Sequence, residues 1–366
     1  MKIFQNMGFG KAYLTDFDRR YPASRSLGFA HRLKLLLADR HGSAHILEPI
    51  YAQCPDSFFT IGDDYLLQFS WAKEHNFPSR DLNEILLAQI NYFKPDLFYN
   101  CDPIRFPSDF INKLPKSVQL SFAWRAAPLA NADLSAYDLV LSNFRSLNTL
   151  WEKSGFKTEI FYPSVDPLMS SFFDNTERPI DLFFAGSYST STGHDSRLRT
   201  LTHLISSFPS SSFHIHLLFK RWGRLGSQFP KNLLPAFVSL PRLLKNRVLP
   251  PCYGLEMYES ISKSKIVVNP STTIANSEIG NMRCWESLGC GALMLSPYGI
   301  YPPDFIPNEH FLPYSNDDQL SSHISMLLSE PEMLNTIAHQ GSKMIHTRWS
   351  KSRQWHDFLD LVSRYG

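Results

Sequence analysis

No charge of one sign dominates this sequence: across 366 residues, 36 Lys and Arg face 34 Asp and Glu, a formal net charge of +2. No bulk field is therefore available to draw in a nucleic acid or an anionic membrane. The 28 Phe, 15 Tyr and 7 Trp are not accompanied by a basic stripe, which argues against nucleic-acid binding a second time. No apolar run approaches the ~20 residues that a membrane-spanning helix needs. The start, Met1-Lys2-Ile3-Phe4-Gln5-Asn6, lacks the apolar stretch and cleavage site of a secretory signal, so the expected location is cytoplasmic. Cys54, Cys101, Cys252, Cys284 and Cys290 are odd in number and form no C-x-x-C pair, which excludes a disulfide framework and suits reduced thiols in a core. Walker A, G-x-S-x-G and complete G-x-G-x-x-G motifs are missing, and with them the usual cases for an NTPase, a hydrolase or a dehydrogenase. There is no internal repeat, and the one low-complexity patch, 206–212, reads as a surface turn.

What is present is globular: 43% apolar and 19% charged residues, and a length that predicts two domains or one large α/β unit. Strand-like runs alternate with amphipathic stretches, the pattern of helices on both faces of a parallel sheet. In the first half, strands are expected at 2–6, 45–49, 96–100, 118–123, 138–142 and 158–162, with helices at about 25–39, 65–75 and 82–93. Segment 11–23 reads as a long loop. Tyr162-Pro163-Ser164-Val165-Asp166-Pro167 holds two prolines in six residues and marks a hinge. Beyond it, strands at 181–187, 213–219, 265–269 and 292–296 alternate with helices at about 197–207, 255–263 and 282–288, and further helices follow at 317–328 and 331–346. The last stretch, 350–363, carries Trp355, Phe358, Leu359 and Val362 on one face and needs a docking site. The expected fold class is α/β, with two Rossmann-like doubly wound parallel-sheet domains facing a central cleft. Their expected bounds are 1–163 for the N-terminal domain, 164–348 for the C-terminal domain, and 349–366 for a terminal helix.

The most informative stretch runs from Ser277 to Ser296. A loop carboxylate, Glu278, precedes a short helix with Asn281 as its cap, and the free N–H groups and dipole there suit a phosphate. Arg283 and Glu286 lie three apart and share one face, while Met282, Trp285 and Leu288 or Gly289 line the other. A carboxylate accepts two hydrogen bonds from a vicinal diol, so Glu286 suits a ribose and Glu278 the hydroxyls of a sugar. Taken alone, the same residues also read as an ordinary surface ion pair beside a solvated loop Glu.

Glu278 and Glu286 are separated by seven residues, and Gly289-Cys290-Gly291 leads into an apolar strand. This resembles the E-x7-E signature of glycosyltransferases with the GT-B fold, and especially the CgeB-like glycosyl transferases group 1. Their motif N-x-R-x-[FW]-E-x-x-x-x-G is matched by Asn281, Arg283, Trp285, Glu286 and Gly291. Segments 162–167, 181–187, 253–258 and 265–269 are similar, in the family's order, to its hinge, its first donor-domain strand with the phosphate-side loop, and the helix and strand before the motif. The likeness is clear from about residue 138 onward, and the first half matches in architecture. It implies a nucleotide-sugar donor held by Glu286 at the ribose and by Glu278 at the transferred sugar, and a last helix that returns to the N-terminal domain. Gly280 stands two residues after Glu278, where retaining relatives place a Gly at three, and retention or inversion stays open.

The leaving nucleoside diphosphate needs positive or N–H partners. On the donor side the candidates are Gly186 and Ser187 at one strand end, Lys220, Arg221 and Arg224 at another, and Asn281, Met282 and Arg283. Gly8 and Gly10 form a weaker phosphate-loop candidate that reads more readily as a plain tight turn. Asp102, following a strand and preceding Pro103, is the candidate catalytic base, with a turn-starting Asp as the plainer account. Trp124 could stack on a sugar and Arg125 pair with a phosphate. Asp16, in the 11–23 segment, is placed on the acceptor side. Asp16-Phe17-Asp18 is formally a D-x-D, but it comes too early in the chain for the metal-binding version. His214 and His216 share a strand face with no ligand at zinc spacing and read as a core pair, so no metal is expected. The expectation is a metal-independent glycosyltransferase with no cofactor beyond its donor, acting on a glycan, lipid-linked or protein acceptor of bacterial-type surface glycan assembly, with peripheral membrane association allowed. Its rivals are a sugar-nucleotide epimerase or phosphorylase of the same architecture, and a catalytically silent nucleotide-sugar-binding scaffold.

Overall fold

Strands covered by helices on both faces need side chains that are apolar in both directions, and the short β-branched and aromatic runs supply them. The computed structural model describes residues 1–173, 175–188, 195–219, 240–270 and 275–366. They divide into two units, Met1–Ser164 with Lys351–Gly366, and Val165–Ser350, each built on one six-stranded sheet in which every pairing is parallel.

The first unit runs β1 (Ile3–Met7), α1 (Lys11–Arg20), α2 (Phe29–Ala38), β2 (Ser57–Ile61), α3 (Tyr65–Glu74), α4 (Leu82–Phe93), β3 (Leu97–Asn100), β4 (Leu120–Trp124), β5 (Leu139–Ser142), α5 (Arg145–Glu152) and β6 (Thr158–Ile160). The sheet order is β2-β1-β3-β4-β5-β6. Every residue of β1, β3 and β5 is buried. The order reverses between β1 and β3, so the connections leave toward opposite sides and open a crevice at the carboxyl ends of those two strands.

The second unit runs β7 (Ile180–Tyr188), α6 (Asp195–Ser207), β8 (Phe213–Phe219), β9 (Val248–Leu249), α7 (Gly254–Ser262), β10 (Ser264–Val268), α8 (Met282–Gly289), β11 (Leu293–Pro297), β12 (Leu312–Tyr314), α9 (Asp317–Ser329) and α10 (Pro331–Arg348). Its order, β12-β11-β10-β7-β8-β9, is that of a dinucleotide-binding sheet and reverses between β7 and β10. The final helix, α11 (Lys351–Tyr365), belongs to the first unit. There Phe358 and Leu361 enter the core formed by Ile3, Leu97, Tyr99, Phe122 and Leu139. Gln354 Nε2 ties the helix to the carbonyls of Ala44 (2.9 Å) and Tyr162 (3.1 Å).

Three expectations are corrected. Segment 11–23 is not a long loop: it is α1 followed by a 3-10 turn at Pro22–Ser26. Tyr13 and Phe17 are buried one helical turn apart, and Asp16 braces Arg19 and Arg20 at three and four residues' distance. Segment 45–49 is not a strand. Pro49 lacks an N–H and sits in the first turn of a short helical segment, Glu48–Tyr51, and the second strand is β2. The helix expected from residue 25 starts at Phe29, after the 3-10 turn and Gly28.

Candidate functional site

In the second unit the site is built on α8. Cys284, Trp285 and Leu288 are fully buried, Trp285 against the rings of Phe305 (5.5 Å) and Trp349 (5.7 Å). That packing turns the other face, with Arg283 and Glu286, toward the end of β7. Arg283 Nη1 donates to Glu286 Oε2 at 2.6 Å, and Nη2 reaches the Ala185 carbonyl at 3.4 Å. The two side chains are 12% and 18% exposed, a pair shielded from water yet reachable. Met282 is half-buried at the start of the helix. Asn281 occupies the N-cap position, but its side chain makes no capping bond. It pairs instead with Asn269, just past β10, in reciprocal bonds of 2.8 and 3.1 Å. This corrects the expected side-chain cap. The amide pair pins the start of α8 to the sheet, beside the point where the strand order reverses.

The opposite face of the β7 end holds a residue that the sequence reading passed over. Arg197, in the first turn of α6, is 8% exposed and donates through Nη1 to the Ser187 carbonyl at 2.7 Å. A Cβ on Gly186 would stand 2.8 Å from the Phe184 ring and 3.4 Å from that same Nη1. Gly186 thus serves by leaving room for a guanidinium. Burial lowers the pKa of Arg197, and the charge of Arg283 pushes the same way. Arg197 has no carboxylate partner among the described residues, and its Nε is buried without a hydrogen-bond partner. Two cations and one carboxylate therefore surround the carboxyl end of β7, an excess of positive charge that suits an anion. A cation in the first turn of a helix opposes the dipole, and that was the sequence signal for Arg197.

Glu278 is half-buried between β10 and α8, in a segment held by the Ile279 N–H on the Ile300 carbonyl at 2.8 Å. Lys220 and Arg221, and Arg224 with them, lie outside the described residues.

The first unit gathers a separate cluster at the reversal point of its own sheet. Asp102 follows β3, and a Cβ on Gly8, which follows β1, would collide with its carboxylate. Asp102 is 21% exposed and pairs with the outward-lying Arg105 at 3.1 Å. Burial raises its pKa and neighbouring Asp63 adds to the rise, while Arg105 and Arg125 oppose it. Asp63 was not foreseen. Its carboxylate takes the amides of Phe9 and Gly10, both at 2.8 Å, so the expected phosphate loop at Gly8 and Gly10 already spends those donors on a carboxylate. Arg125 joins the cluster while bonding to the carbonyls of Ala127 (3.2 Å) and Pro128 (3.3 Å). Trp124 is partly buried, 3.9 Å from the His45 ring, with Nε1 on the Phe161 carbonyl at 3.2 Å. Asp16 stands apart. Its carboxylate is held by Arg19 and Arg20, and Arg20 also clamps the fully buried Asp39, so Asp16 is part of a structural network.

The chain resembles known proteins in part of its sequence and in its fold. Residues 199–360 match the family model described as glycosyl transferase-like. No curated protein matches. Among solved structures, the chain is similar to Anabaena HepE in complex with UDP-glucose, at 13% identity and a TM-score of 0.60 over 100% of both chains. An alpha-glucosyltransferase in complex with UDP-glucose and DNA containing an abasic site gives 13% and 0.63 over 99% of each. A glycosyltransferase from Rickettsia africae gives 11% and 0.56 over 100% of this chain and 98% of that one. Two six-stranded parallel sheets with these matches define the GT-B class of fold. Within that class, the match to the glycosyl transferase-like model runs from α6 in the second unit into α11 of the first.

Proposed function

We propose that the protein is a glycosyltransferase that takes a nucleotide-sugar donor on its second unit and passes the glycosyl group to an acceptor held by its first. The observation that carries this reading is the shielded Glu286 carboxylate, fixed by Arg283 at 2.6 Å beside the end of β7 and inside the matched glycosyl transferase-like segment. Relatives of the same fold were solved with UDP-glucose, which points to a UDP-sugar. Arg283 occupies one carboxylate oxygen of Glu286, and the other is left to accept from a ribose diol. Arg197 takes the charge that builds on the diphosphate as the bond between the sugar and the phosphate oxygen breaks. Glu278 is assigned to the hydroxyls of the transferred sugar.

On the acceptor side Asp102 is the base. It receives the proton of the attacking hydroxyl as the new glycosidic bond forms, and its raised pKa brings it closer to working pH. Arg125 near it, and Trp124 at the end of β4, are assigned as acceptor contacts. The proposed reaction uses no metal ion and no cofactor beyond the donor. No described helix is long and apolar enough to cross a membrane, and the proposed setting is cytoplasmic, with a glycan, lipid-linked or protein acceptor.

A thermal-shift screen against nucleoside diphosphates and their sugars tests the donor half. A ligand at 100 times its Kd adds about 2.7 kcal/mol to the folded state, or roughly 5–10 °C for a unit of this size. Release of nucleoside diphosphate that depends on an added acceptor then tests transfer. No shift with any nucleotide overturns the proposal, and binding without turnover in any acceptor pool reduces it to a binding module.

A further inference from the structure

The two carboxylates at the reversal point of the first unit share one turn. Asp63 accepts from the Phe9 amide through Oδ1 and from the Gly10 amide through Oδ2, each at 2.8 Å. The Asp102 carboxylate lies against Gly8, where a Cβ would collide with it. Gly8, Phe9 and Gly10 are consecutive, and consecutive Cα atoms stand about 3.8 Å apart. Asp63 therefore anchors the short piece of backbone that backs Asp102.

Beneath the turn, a buried amide pair ties both carboxylates to the strand ends. Asn6 on β1 and Asn100 on β3 are in register and fully buried, and Asn6 Nδ2 donates to Asn100 Oδ1 at 2.9 Å. Asn100 Oδ1 also accepts from the Asp102 amide at 3.0 Å. Asn6 Oδ1 accepts from the amide of Gly62, the residue before Asp63, at 3.0 Å. Asn100 Nδ2 donates to the Tyr137 hydroxyl at 2.6 Å, and that hydroxyl donates to the Phe106 carbonyl at 2.7 Å. A buried network satisfied in this way is rigid, so the backbones that carry Asp63 and Asp102 are held to a common point.

The two side chains differ in what remains open. Both oxygens of Asp63 are taken by backbone donors. Arg105 Nε holds Oδ2 of Asp102 at 3.1 Å, and no described donor reaches Oδ1. The charges that face Asp102 are Asp63 from the turn after β2, Arg105 from its own turn and Arg125 from the turn after β4. Cys101 and Tyr137 also adjoin it, and burial raises the pKa of both, so they stay neutral at pH 7. For Asp102 burial is the largest influence and raises the pKa, and Asp63 is the facing charge that adds to it. Paired carboxylates in unlike surroundings divide acid–base work between them.

Building on the assignment of Asp102 as the base, we propose that Asp63 is its positioning residue. It fixes the Gly8 turn behind the Asp102 carboxylate and stations a like charge beside it, so that Asp102 is the one of the two that takes the acceptor's proton.

The test is a pH titration of the Asp102 side chain by carbon NMR, on protein labelled at the aspartate carboxyl carbons, with the signal assigned by its loss in Asp102→Asn. In the wild type the midpoint is expected above the ordinary carboxylate value. Asp63→Asn keeps a carbonyl oxygen for one amide and removes the charge, and is expected to lower the midpoint by about half a pH unit or more. If that variant does not fold, Asp63→Ser, whose hydroxyl also accepts from an amide, carries the same expectation. A smaller shift, or one upward, overturns the inference, as does an ordinary midpoint in the wild type. If Asp102→Asn loses transfer while the midpoint fails to move in Asp63→Asn, the base assignment stands and this inference alone falls. If Asp102→Asn transfers undiminished, both fall.

Discussion

Glu286→Gln separates the pairing with Arg283 that the structure shows from the ribose contact proposed for the same side chain. As the partner of Arg283 at 2.6 Å, the carboxylate makes a charge-assisted bond in a site where the side chains are 12% and 18% exposed. Gln keeps one carbonyl oxygen for Arg283, so the change replaces a charged hydrogen bond by a neutral one. That difference is about 1 kcal/mol, which lowers Tm by roughly 2–4 °C for a unit of this size. As the ribose contact, the same carboxylate would lose one or two charge-assisted bonds to the diol, each worth about 1.5–3 kcal/mol. At 1.4 kcal/mol per factor of ten, UDP affinity should fall roughly 10- to 100-fold or more. Glu286→Ala is less informative, because it leaves the Arg283 charge shielded from water with no counter-ion, a cost that mixes folding with binding. The assay is a pair of measurements on one sample, a thermal melt without ligand and a calorimetric titration with UDP. A Tm that drops by the expected few degrees while UDP affinity stays within twofold would refute the reasoning. Glu286 would then be the i, i+3 partner of Arg283 and nothing more.

Two further changes probe the remaining roles. Arg197→Gln should weaken UDP by about tenfold or more, since a charge-assisted phosphate contact is lost, and leave uridine unchanged because the nucleoside has no phosphate; equal losses for both would mean that Arg197 only holds the Ser187 carbonyl. Asp102→Asn should leave UDP affinity intact and cut transfer by roughly 10²–10⁴, the usual contribution of a positioned base, whereas undiminished transfer puts the base elsewhere. The same variant has a pH signature. Because the folded protein raises the pKa of Asp102, it holds that proton more tightly than the unfolded chain does, and stability falls as pH rises from the ordinary carboxylate value through the raised one. Asn carries no such slope, so its Tm advantage over the wild type at pH 7 should close as the pH is lowered toward the ordinary carboxylate range.

Some features were open to reading because their physics is local. The motif from Glu278 to Gly291 sets Arg283 and Glu286 on one face of α8 by spacing alone, and the structure joins them in a hydrogen bond. Strands such as Leu97–Asn100 and Leu139–Ser142 are buried throughout, so they stand out as short apolar runs. The failures arose where burial partners came from far away. Tyr13 and Phe17 look unremarkable among Lys11, Thr15 and Asp16, and the helix they belong to is stabilised by Asp39 accepting from Tyr13 and Arg20. Ile46 and Leu47 are fully buried without being a strand, because Pro49 removes a donor that a ladder would need. Two of the sequence's own candidates changed meaning for the same reason. Gly8 stands against the Asp102 carboxylate, and the Gly10 amide is taken by Asp63.

Composition and alternation of runs were enough to indicate an α/β protein of two sheets, and the resemblance of one spaced motif to GT-B glycosyltransferases gave the expectation of sugar transfer, because both depend on residues near one another in the chain. Which cations surround the end of β7 was decided only by the tertiary structure. Arg197 reaches Ser187 through the space that Gly186 leaves empty, and Arg283 arrives from the other face, nearly a hundred residues later. Likewise, no spacing rule marks Asp63 as the neighbour of Asp102. Such pairs form because parallel strands align their carboxyl ends side by side, and strand order, which a linear pattern does not encode, selects the residues that meet there.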